Sequence, residues 1–287
     1  MPELPEVQTI ADDLDEAVRG LTIVEAAVGC EKLIPGGAES FRRRLAGARI
    51  EEVRRLGKWL HFRLARNREP AHLLVHLKMT GQFQLGPWPA PGGWPKHVHA
   101  ALRLAGAEAL LYRDIRKFGR LRAFDQAGFE AFLKELNLGP DPLTVTAEEF
   151  HRRLTARRGR LKAVLLDQAT VAGFGNIYAD ESLFAARLSP LAPAAGLSPA
   201  ETGRLLRAAR RIFTAAIAAR GSTTSNYQGL KGGGTFQASH QVYGRAGRPC
   251  PACGSAILRL VVGGRSTHVC PACQGVPAPK PGLKPPA

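Results

Sequence analysis

Two groups of residues in this sequence have the types and spacing to do chemistry. The first opens the chain: Met1-Pro2-Glu3-Leu4-Pro5-Glu6. Loss of the initiator methionine leaves Pro2 with a free secondary amine. A terminal amine titrates at about 7.7–8.0, much nearer neutrality than a lysine, so an unprotonated nucleophile is within reach. An apolar-periodic helix begins at once, with Leu4, Val7, Ile10, Ala11, Leu14 and Val18 at three- and four-residue spacing. The positive end of its dipole disfavours protonation and lowers the amine pKa further. Glu3 and Glu6 fall in the first turn, where carboxylates are favoured and can exchange protons with a group reacting beside the amine. The plainer alternative is a helix start where proline suits the first turn. Taken alone, these six residues favour that alternative.

The second group is four cysteines near the C-terminus. Cys250-x2-Cys253 and Cys270-x2-Cys273 are separated by sixteen residues. Two such knuckles flanking a hairpin set four thiolates tetrahedrally around one Zn2+. Four thiolates leave no open coordination position, so the zinc is expected to be structural. A redox pair is disfavoured, because no thioredoxin-like context surrounds the motifs. Between the knuckles, residues 257–262 are apolar and β-prone, and Gly263-Gly264 makes a hairpin turn with Arg265 at its tip. Cys30 reads as an ordinary reduced cysteine.

The composition narrows the partners. Forty Lys and Arg against twenty-four Asp and Glu give a net charge of +16 over 287 residues. Such a balance points to a polyanion, nucleic acid first and an anionic membrane surface second. No basic amphipathic helix with bulky apolar anchors supports the membrane option. An arginine-rich surface inherited from a GC-rich genome is the plain alternative reading of the charge. No apolar run approaches the roughly 18 residues of a transmembrane helix. A basic segment followed by an apolar one is missing from the start, so no signal peptide and a cytoplasmic location are expected.

The elements that must position these residues fall into two regions. Residues 3–19 predict a helix ended by Gly20. Alternating segments at 22–28, 49–65, 72–85, 97–104, 109–113 and 120–124 predict a β-sandwich or flattened barrel, with the helix packed on it. The stretch 87–95 is too rich in Pro and Gly for a strand. From residue 127 the pattern turns helical. Residues 129–136 are short and amphipathic, and Leu138-Gly139-Pro140-Asp141-Pro142 is a rigid boundary turn. Thr146 with Glu149, and Ser198 with Glu201, have capping-box spacing. A further helix is expected at 161–167, and Gly173-Phe174-Gly175-Asn176 turns into another near Ile177. Residues 221–235 form a Gly-, Ser- and Thr-rich loop. The Pro-rich residues 275–287 are expected to be disordered.

At this point the sequence resembles the bacterial formamidopyrimidine-DNA glycosylases (Fpg) of the Fpg/Nei family. The resemblance rests on Pro2 to Val7, Gly57-Lys58-Trp59, His76-Leu77-Lys78-Met79-Thr80-Gly81 and Asp114-Ile115-Arg116-Lys117-Phe118-Gly119. It continues through Gly173 to Ala179, Gln241-Val242-Tyr243-Gly244-Arg245 and the four-cysteine finger, with Arg265 five residues before Cys270. It implies an α+β fold: an N-terminal catalytic β-sandwich with a leading helix over 1–136, and a helix-two-turns-helix DNA-binding domain over 137–235. A zinc-finger β-hairpin over 236–274 and a tail over 275–287 complete it. It also implies a monomeric repair enzyme acting on double-stranded DNA, which excises oxidised purines through a Schiff base on Pro2 and cuts the strand by β,δ-elimination.

The resemblance further implies residue roles. Glu3 is the general acid/base, Lys58 the proton donor for β-elimination and Arg265 for δ-elimination, with Glu6 a supporting carboxylate. Met79, Arg116 and Phe118 fill the gap left by an extruded nucleotide, a step that base-modifying enzymes require. Lys58, His76, Asn176 and Arg265 contact phosphates, and His97, Arg116 and Arg157 stand at DNA-binding positions. Arg158 and Arg160 are alternative registers for Arg157. The segment from Ser222 to Thr235 corresponds to a flexible loop over the extruded base. Without the resemblance, Lys58 is part of a basic face, Arg265 a hairpin-tip phosphate contact, and Met79 and Phe118 core residues.

Phe174 stands where a leucine is common. The tail past Gln274 has no assigned role beyond a weak DNA contact through Lys280 and Lys284. Two rivals remain open: an endonuclease VIII-type glycosylase for oxidised pyrimidines, disfavoured by Leu4-Pro5, and a non-catalytic zinc-dependent DNA-binding protein.

Overall fold

The structure, a computed structural model, describes residues 1–90, 92–223 and 229–276. Pro91, five residues of the loop expected at 221–235, and residues 277–287 with Lys280 and Lys284 lie outside the described residues. By its contacts the chain forms two compact units. The first takes Met1–Leu136 and Ala219–Thr235, and the second takes Asn137–Ala218 and the described residues from Phe236 on.

The first unit opens with helix α1 (Leu4–Val18). Its apolar stripe is buried, and Val7, Ile10, Leu14 and Val18 enter the core. Strands β1 (Ile23–Val28), β6 (Val98–Leu104), β7 (Ala109–Asp114) and β5 (Gly81–Gly86) form one antiparallel sheet in the order β1-β6-β7-β5. Strands β2 (Arg49–Leu56), β3 (Trp59–Arg66), β4 (Glu69–His76) and β8 (Arg120–Asp125) form the other, in the order β2-β3-β4-β8. Alternate residues of both sheets, such as Leu60, Phe62 and Leu64 of β3 and Ala100, Leu102 and Leu104 of β6, share one core. Helix α3 (Gln126–Leu136) ends the first pass of the chain through this unit.

The run expected as one strand over 49–65 is a hairpin. Gly57 at φ +59° and Lys58 form a two-residue turn that leaves Leu56 opposite Trp59. Glycine at the first central position is what a type II′ turn requires. The run 72–85 likewise divides into β4 and β5, with a turn over 77–80. Helix α2 (Ala38–Leu45) lies between the predicted segments 22–28 and 49–65, where no helix was expected. Phe41 and Leu45 are its only large apolar residues, and both are buried. Three consecutive arginines, Arg42 to Arg44, hide its periodicity in the sequence.

The second unit contains α4 (Ala147–Thr155), α5 (Leu161–Leu166), α6 (Asn176–Ala185) and α7 (Pro199–Ala218). Thr146 Oγ1 accepts the Glu149 N–H at 3.2 Å. Before α7, Ser198 Oγ accepts the Glu201 N–H at 3.3 Å while Glu201 Oε2 accepts the Ser198 N–H at 2.9 Å, a complete capping box. The finger is the antiparallel pair β9 (Leu258–Val262) and β10 (Arg265–Val269), followed by the short α8 (Pro271–Gln274). Gly275 caps α8 in the left-handed region and Val276 is buried, so the packed chain continues past Gln274.

Residues 219–235 group with the first unit, although they directly follow α7 and sequence reading ran the helical domain on to 235. Acidic residues of α1 cause this. Glu6 Oε1 accepts the Ser222 N–H at 2.8 Å, Asp13 pairs with Arg220, and Glu16 pairs with Lys231 at 2.5 Å. Among the described residues no helix is long and apolar enough to cross a membrane.

Candidate active site and metal centre

The first unit holds Pro2, Glu3, Glu6, Lys58, His76, Met79, His97, Arg116 and Phe118. Pro2 is buried directly before α1. Glu3 and Glu6 are 3% and 2% exposed. Glu6 has a fixed role: its Oε2 accepts the Glu3 N–H at 2.9 Å, and its Oε1 holds Ser222. Gly221 lies so close that a Cβ there would stand 2.8 Å from Glu6 Oε1. The terminal amine, carried by Met1, has its pKa lowered. Burial is the main cause; Glu3 and Glu6 raise it, and Lys58 and Arg116 lower it again. Two carboxylates and two cations thus act on one buried amine.

Lys58 is only 6% exposed despite standing in a hairpin turn. His76 lies opposite Trp59 across the β3–β4 ladder, and their rings meet edge-on at 4.9 Å. Burial, then the charges of Lys78 and Lys58, push the His76 pKa down to about 3. Its Nδ1 accepts the Lys78 N–H at 3.0 Å, so the proton of this neutral ring sits on Nε2.

Met79 and Phe118 are 42% and 44% exposed, unlike core residues of their type. They sit on two loops tied together by fully buried Asp114. Its carboxylate accepts the Thr80 hydroxyl at 2.5 Å, the Arg116 N–H at 3.2 Å and the Gly119 N–H at 2.8 Å. Thr80 Oγ1 also accepts the Arg116 N–H, at 3.0 Å. The Arg116 guanidinium lies over the Phe118 ring at 4.6 Å. Gly81 and Gly119 approach Tyr112 so closely that a Cβ on either would fall within 2.3 Å of its hydroxyl oxygen. His97, half-buried with φ +67°, accepts the Asp114 N–H through its carbonyl at 2.9 Å.

The second unit holds Arg157, Asn176, Arg265 and the four cysteines. Asn176 is the first residue of α6, after an extended Gly175. Its Nδ2 lies 3.4 Å from Ser266 Oγ, and its Oδ1 is buried without a partner among the described residues. Gly263 and Gly264 at φ +57° and +71° make the hairpin turn, but Arg265 is not at its tip: it is the exposed first residue of β10, opposite Val262. Arg157 is exposed and stands 3.6 Å from Asp167, and Arg158 and Arg160 are exposed too.

Sequence reading missed the side chains that fix β10 to α6. Lys162 Nζ is fully buried and reaches Asp180 Oδ1 at 2.7 Å, the Ser266 carbonyl at 2.8 Å and Thr267 Oγ1 at 2.8 Å. The buried ammonium thus has one ion pair and two hydrogen bonds, as a buried charge requires. Asp180 Oδ2 accepts the His268 N–H at 2.8 Å. Next in sequence, Glu181 accepts the backbone N–H groups of Gln241, Val242 and Tyr243 at 2.8–3.1 Å. Burial raises its pKa, against the pull of those donors. Asp180 directly follows the Gly173–Ala179 motif, which was the available signal.

The four cysteine sulfurs lie within 4.8 Å of one another. Cys250 and Cys273 are 3.9 Å apart and Cys253 and Cys270 3.4 Å, far beyond a disulfide bond. A tetrahedron with Zn–S bonds of about 2.3 Å has edges of about 3.8 Å, which these spacings fit. The Ala252 and Cys273 N–H groups point at the Cys250 and Cys270 sulfurs, each at 3.4 Å, as suits thiolates. Cys250, Cys253, Cys270 and Cys273 hold one structural zinc.

Comparison with known proteins agrees with this architecture. Family models match in three blocks. The formamidopyrimidine-DNA glycosylase N-terminal domain covers residues 1–121 and the corresponding H2TH domain 138–228. The zinc finger found in FPG and IleRS covers 247–276. The formamidopyrimidine-DNA glycosylase of Chloroflexus aurantiacus is 41% identical over 278 residues, covering 96% of this chain and 98% of that one. The crystal structure of MutM (Fpg) from Thermus thermophilus superposes with a TM-score of 0.84 at 42% identity, over 96% of this chain and 100% of that one. Lactococcus lactis Fpg in complex with DNA containing an abasic site gives a TM-score of 0.86 at 32% identity, over 95% and 99%. The chain belongs to the formamidopyrimidine-DNA glycosylase family.

Proposed function

We propose that this chain excises oxidised purines, 8-oxoguanine and formamidopyrimidines, from double-stranded DNA and then cleaves the strand at the abasic site. The observation that carries the reading is buried Pro2 at the start of α1, followed by buried Glu3 and Glu6, in the same unit as buried Lys58. After loss of Met1, the terminal group is the secondary amine of Pro2, one residue further into the chain. The amine attacks C1′ of the damaged nucleotide, and the C1′–base bond breaks with Glu3 supplying the proton. The amine gives up its proton and the C1′–O4′ bond opens, with Glu3 again supplying the proton to O4′, so the secondary amine is left as a cationic iminium. The cation acidifies the C2′ proton; its loss expels the 3′ phosphate, with Lys58 as proton donor. A second elimination expels the 5′ phosphate, with Arg265 in that role. Glu6, with both oxygens engaged, holds the first turn and residue 222 in place and leaves proton transfer to Glu3.

The same geometry supports the DNA-holding roles. His76, neutral and protonated on Nε2, donates to a phosphate without adding charge. Turning the Asn176 amide over lets Oδ1 accept from Ser266 and frees its NH2 for a phosphate at the start of α6. Arg157, Arg265 and His97 add contacts. Met79, Phe118 and Arg116 occupy the gap of the extruded nucleotide as one unit, because Asp114 and Thr80 fix both loops. Relatives solved with Fapy-dG DNA and with carbocyclic 8-oxo-G DNA support the substrate class. The catalytic part is residues 1–136, the DNA grip is the helical region and finger, and the protein acts as a monomer on the chromosome in the bacterial cytoplasm.

Borohydride trapping tests the reading. The mature protein is incubated with a duplex carrying one 8-oxoguanine opposite cytosine, reduced, and the crosslink mapped. A crosslink at Pro2 is expected. Trapping only with an oxidised pyrimidine would move the chain to the endonuclease VIII-type activity. Tight DNA binding without any crosslink, with Pro2 at the terminus, would leave a binding protein.

A further inference from the structure

The first unit has a basic cleft that the reaction does not use. A cavity of about 330 Å³ is lined by Arg43 and Arg44 of α2, by Arg66 and Glu69 at the β3–β4 turn, and by Phe124 and Asp125 at the end of β8. A second cavity of about 180 Å³ shares Arg44 and Phe124, and adds Ile34, Phe41 and Arg122. The pair is cationic at the rim and apolar on its floor.

This cleft stands at the far end of the sheet from the candidate active site. Trp59, next to Lys58, begins β3, and Arg66 ends it. Seven steps along a strand of about 3.3 Å rise separate the two ends by about 23 Å. His76 and Glu69 mark the same two ends of β4. A duplex held around Lys58, His76 and Arg116 leaves the α2 end uncovered.

The charges in the cleft are unequally engaged. Arg44 is paired with Asp125 at 2.7 Å, and Arg66 Nε donates to the Ala46 carbonyl at 3.0 Å. Arg43 has no partner among the described residues, although it lines the larger cavity. A guanidinium fork matches a carboxylate in two-point geometry. Glu69 and Asp125 interrupt the cationic rim, which breaks a continuous phosphate track. A peptide can place its carboxylates only where the arginines are and its apolar side chain on the floor beside Phe124.

We propose that the cleft between α2, the β3–β4 turn and the end of β8 docks an acidic peptide segment of another protein, carrying one bulky apolar side chain, while the opposite end of the sheet holds DNA. The test is fluorescence anisotropy of the full chain with a short labelled peptide, one phenylalanine flanked on both sides by glutamates. Saturable binding is expected, about tenfold weaker in Arg43→Glu/Arg66→Gln and about threefold tighter in Glu69→Lys. Cleavage of an 8-oxoguanine duplex is expected to be the same in all three proteins. Absence of saturable binding, or equal binding of a peptide with alanine in place of phenylalanine, would overturn the proposal. Loss of duplex cleavage, or of single-stranded oligonucleotide binding, in the same variants would assign the cleft to nucleic acid and overturn it as well.

Discussion

Asp13 and Arg220 stand 207 residues apart in sequence and meet in a two-point ion pair, Nη1 to Oδ1 at 3.1 Å and Nη2 to Oδ2 at 2.6 Å. Asp13 is 5% exposed and Arg220 36%. Asp13 Oδ2 also accepts the Lys231 N–H at 3.3 Å. With Glu6 and Ser222, this pair holds the returning segment on α1.

Asp13→Asn keeps the shape but removes the charge opposite Arg220. Breaking a largely buried pair while leaving its partner costs about 2 kcal/mol, given that Arg220 is part-solvated. Urea unfolding of the purified chain measures it. A midpoint unchanged from the parent would show that the pair is not a structural tie.

A second expectation concerns acid. Arg54 Nε donates to His61 Nδ1 at 3.4 Å; His61 Nε2 then donates to His72 Nδ1 at 3.0 Å, and His72 Nε2 to Gln126 Oε1 at 2.8 Å. The chain works only with both imidazoles neutral. Burial, then His72 and the arginines 54 and 63, push the His61 pKa down to about 3, and burial lowers that of His72. An unfolded histidine titrates at about 6.5, so the unfolded state takes up protons first. The stability is therefore complete above about pH 6.5 and is lost as pH falls from there towards 3. In His61→Phe the loss between pH 7 and 5 is expected to be smaller by about 2 kcal/mol. Unfolding free energies at the two pH values decide; an equally steep fall in the variant counts against the account.

A third expectation concerns Tyr112. A Cβ at Gly119 would lie 1.8 Å from the Tyr112 hydroxyl oxygen and 2.9 Å from the ring carbon that bears it. Gly119→Ala is expected to destabilise by about 3 kcal/mol through overpacking. Tyr112→Phe in the same chain removes the nearer atom and is expected to recover part of that loss. Thermal melts of the parent, both single variants and the double variant complete the cycle. Strictly additive effects would rule out the contact.

Zinc removal gives a fourth. Titration with a chromogenic chelator is expected to release one zinc per chain, and in Cys253→Ser to release almost none. Without the ion, strand β10, which Arg265 begins, loses its support. Cleavage should then stop or stall after the first elimination. A metal-free chain that completes both eliminations would show that β10 holds its place without zinc.

The readable parts of this chain are the local ones. The α1 stripe, the Thr146 and Ser198 caps and the paired cysteine knuckles each declare themselves within a few residues, and the structure has them all. Strand limits were less readable. In the run 49–65 the signals of a turn were Gly57 and the three-residue step from Leu56 to Trp59, which breaks the alternation; both are slight beside the apolar residues on either side. Helix α2 was hidden by its arginines. The candidate site divides in the same way. The cysteines are legible as chemistry in sequence, whereas Pro2 and Glu3 alone read first as a helix start. Lys58 and Arg265 gained their roles from the family resemblance, and Asn176 from the resemblance together with its place after Gly175 at a helix start. Asp114, Lys162, Asp180 and Glu181 act by holding other residues across long sequence separations, and no local pattern announces that work.

The route of the chain sets an order of events during synthesis. The first unit takes residues up to Leu136 and then waits for Ala219–Thr235. Until more than eighty further residues have been made, Glu6 and Asp13 face no Ser222 and no Arg220. On the ribosome the sandwich therefore exists first in an unfinished form, with two carboxylates on α1 still hydrated. The end of the chain that carries the proposed nucleophile is the first part made, and among the last to be locked. A nascent chain arrested before residue 219 has every strand of both sheets, yet its amine lies next to acids that have not been tied down.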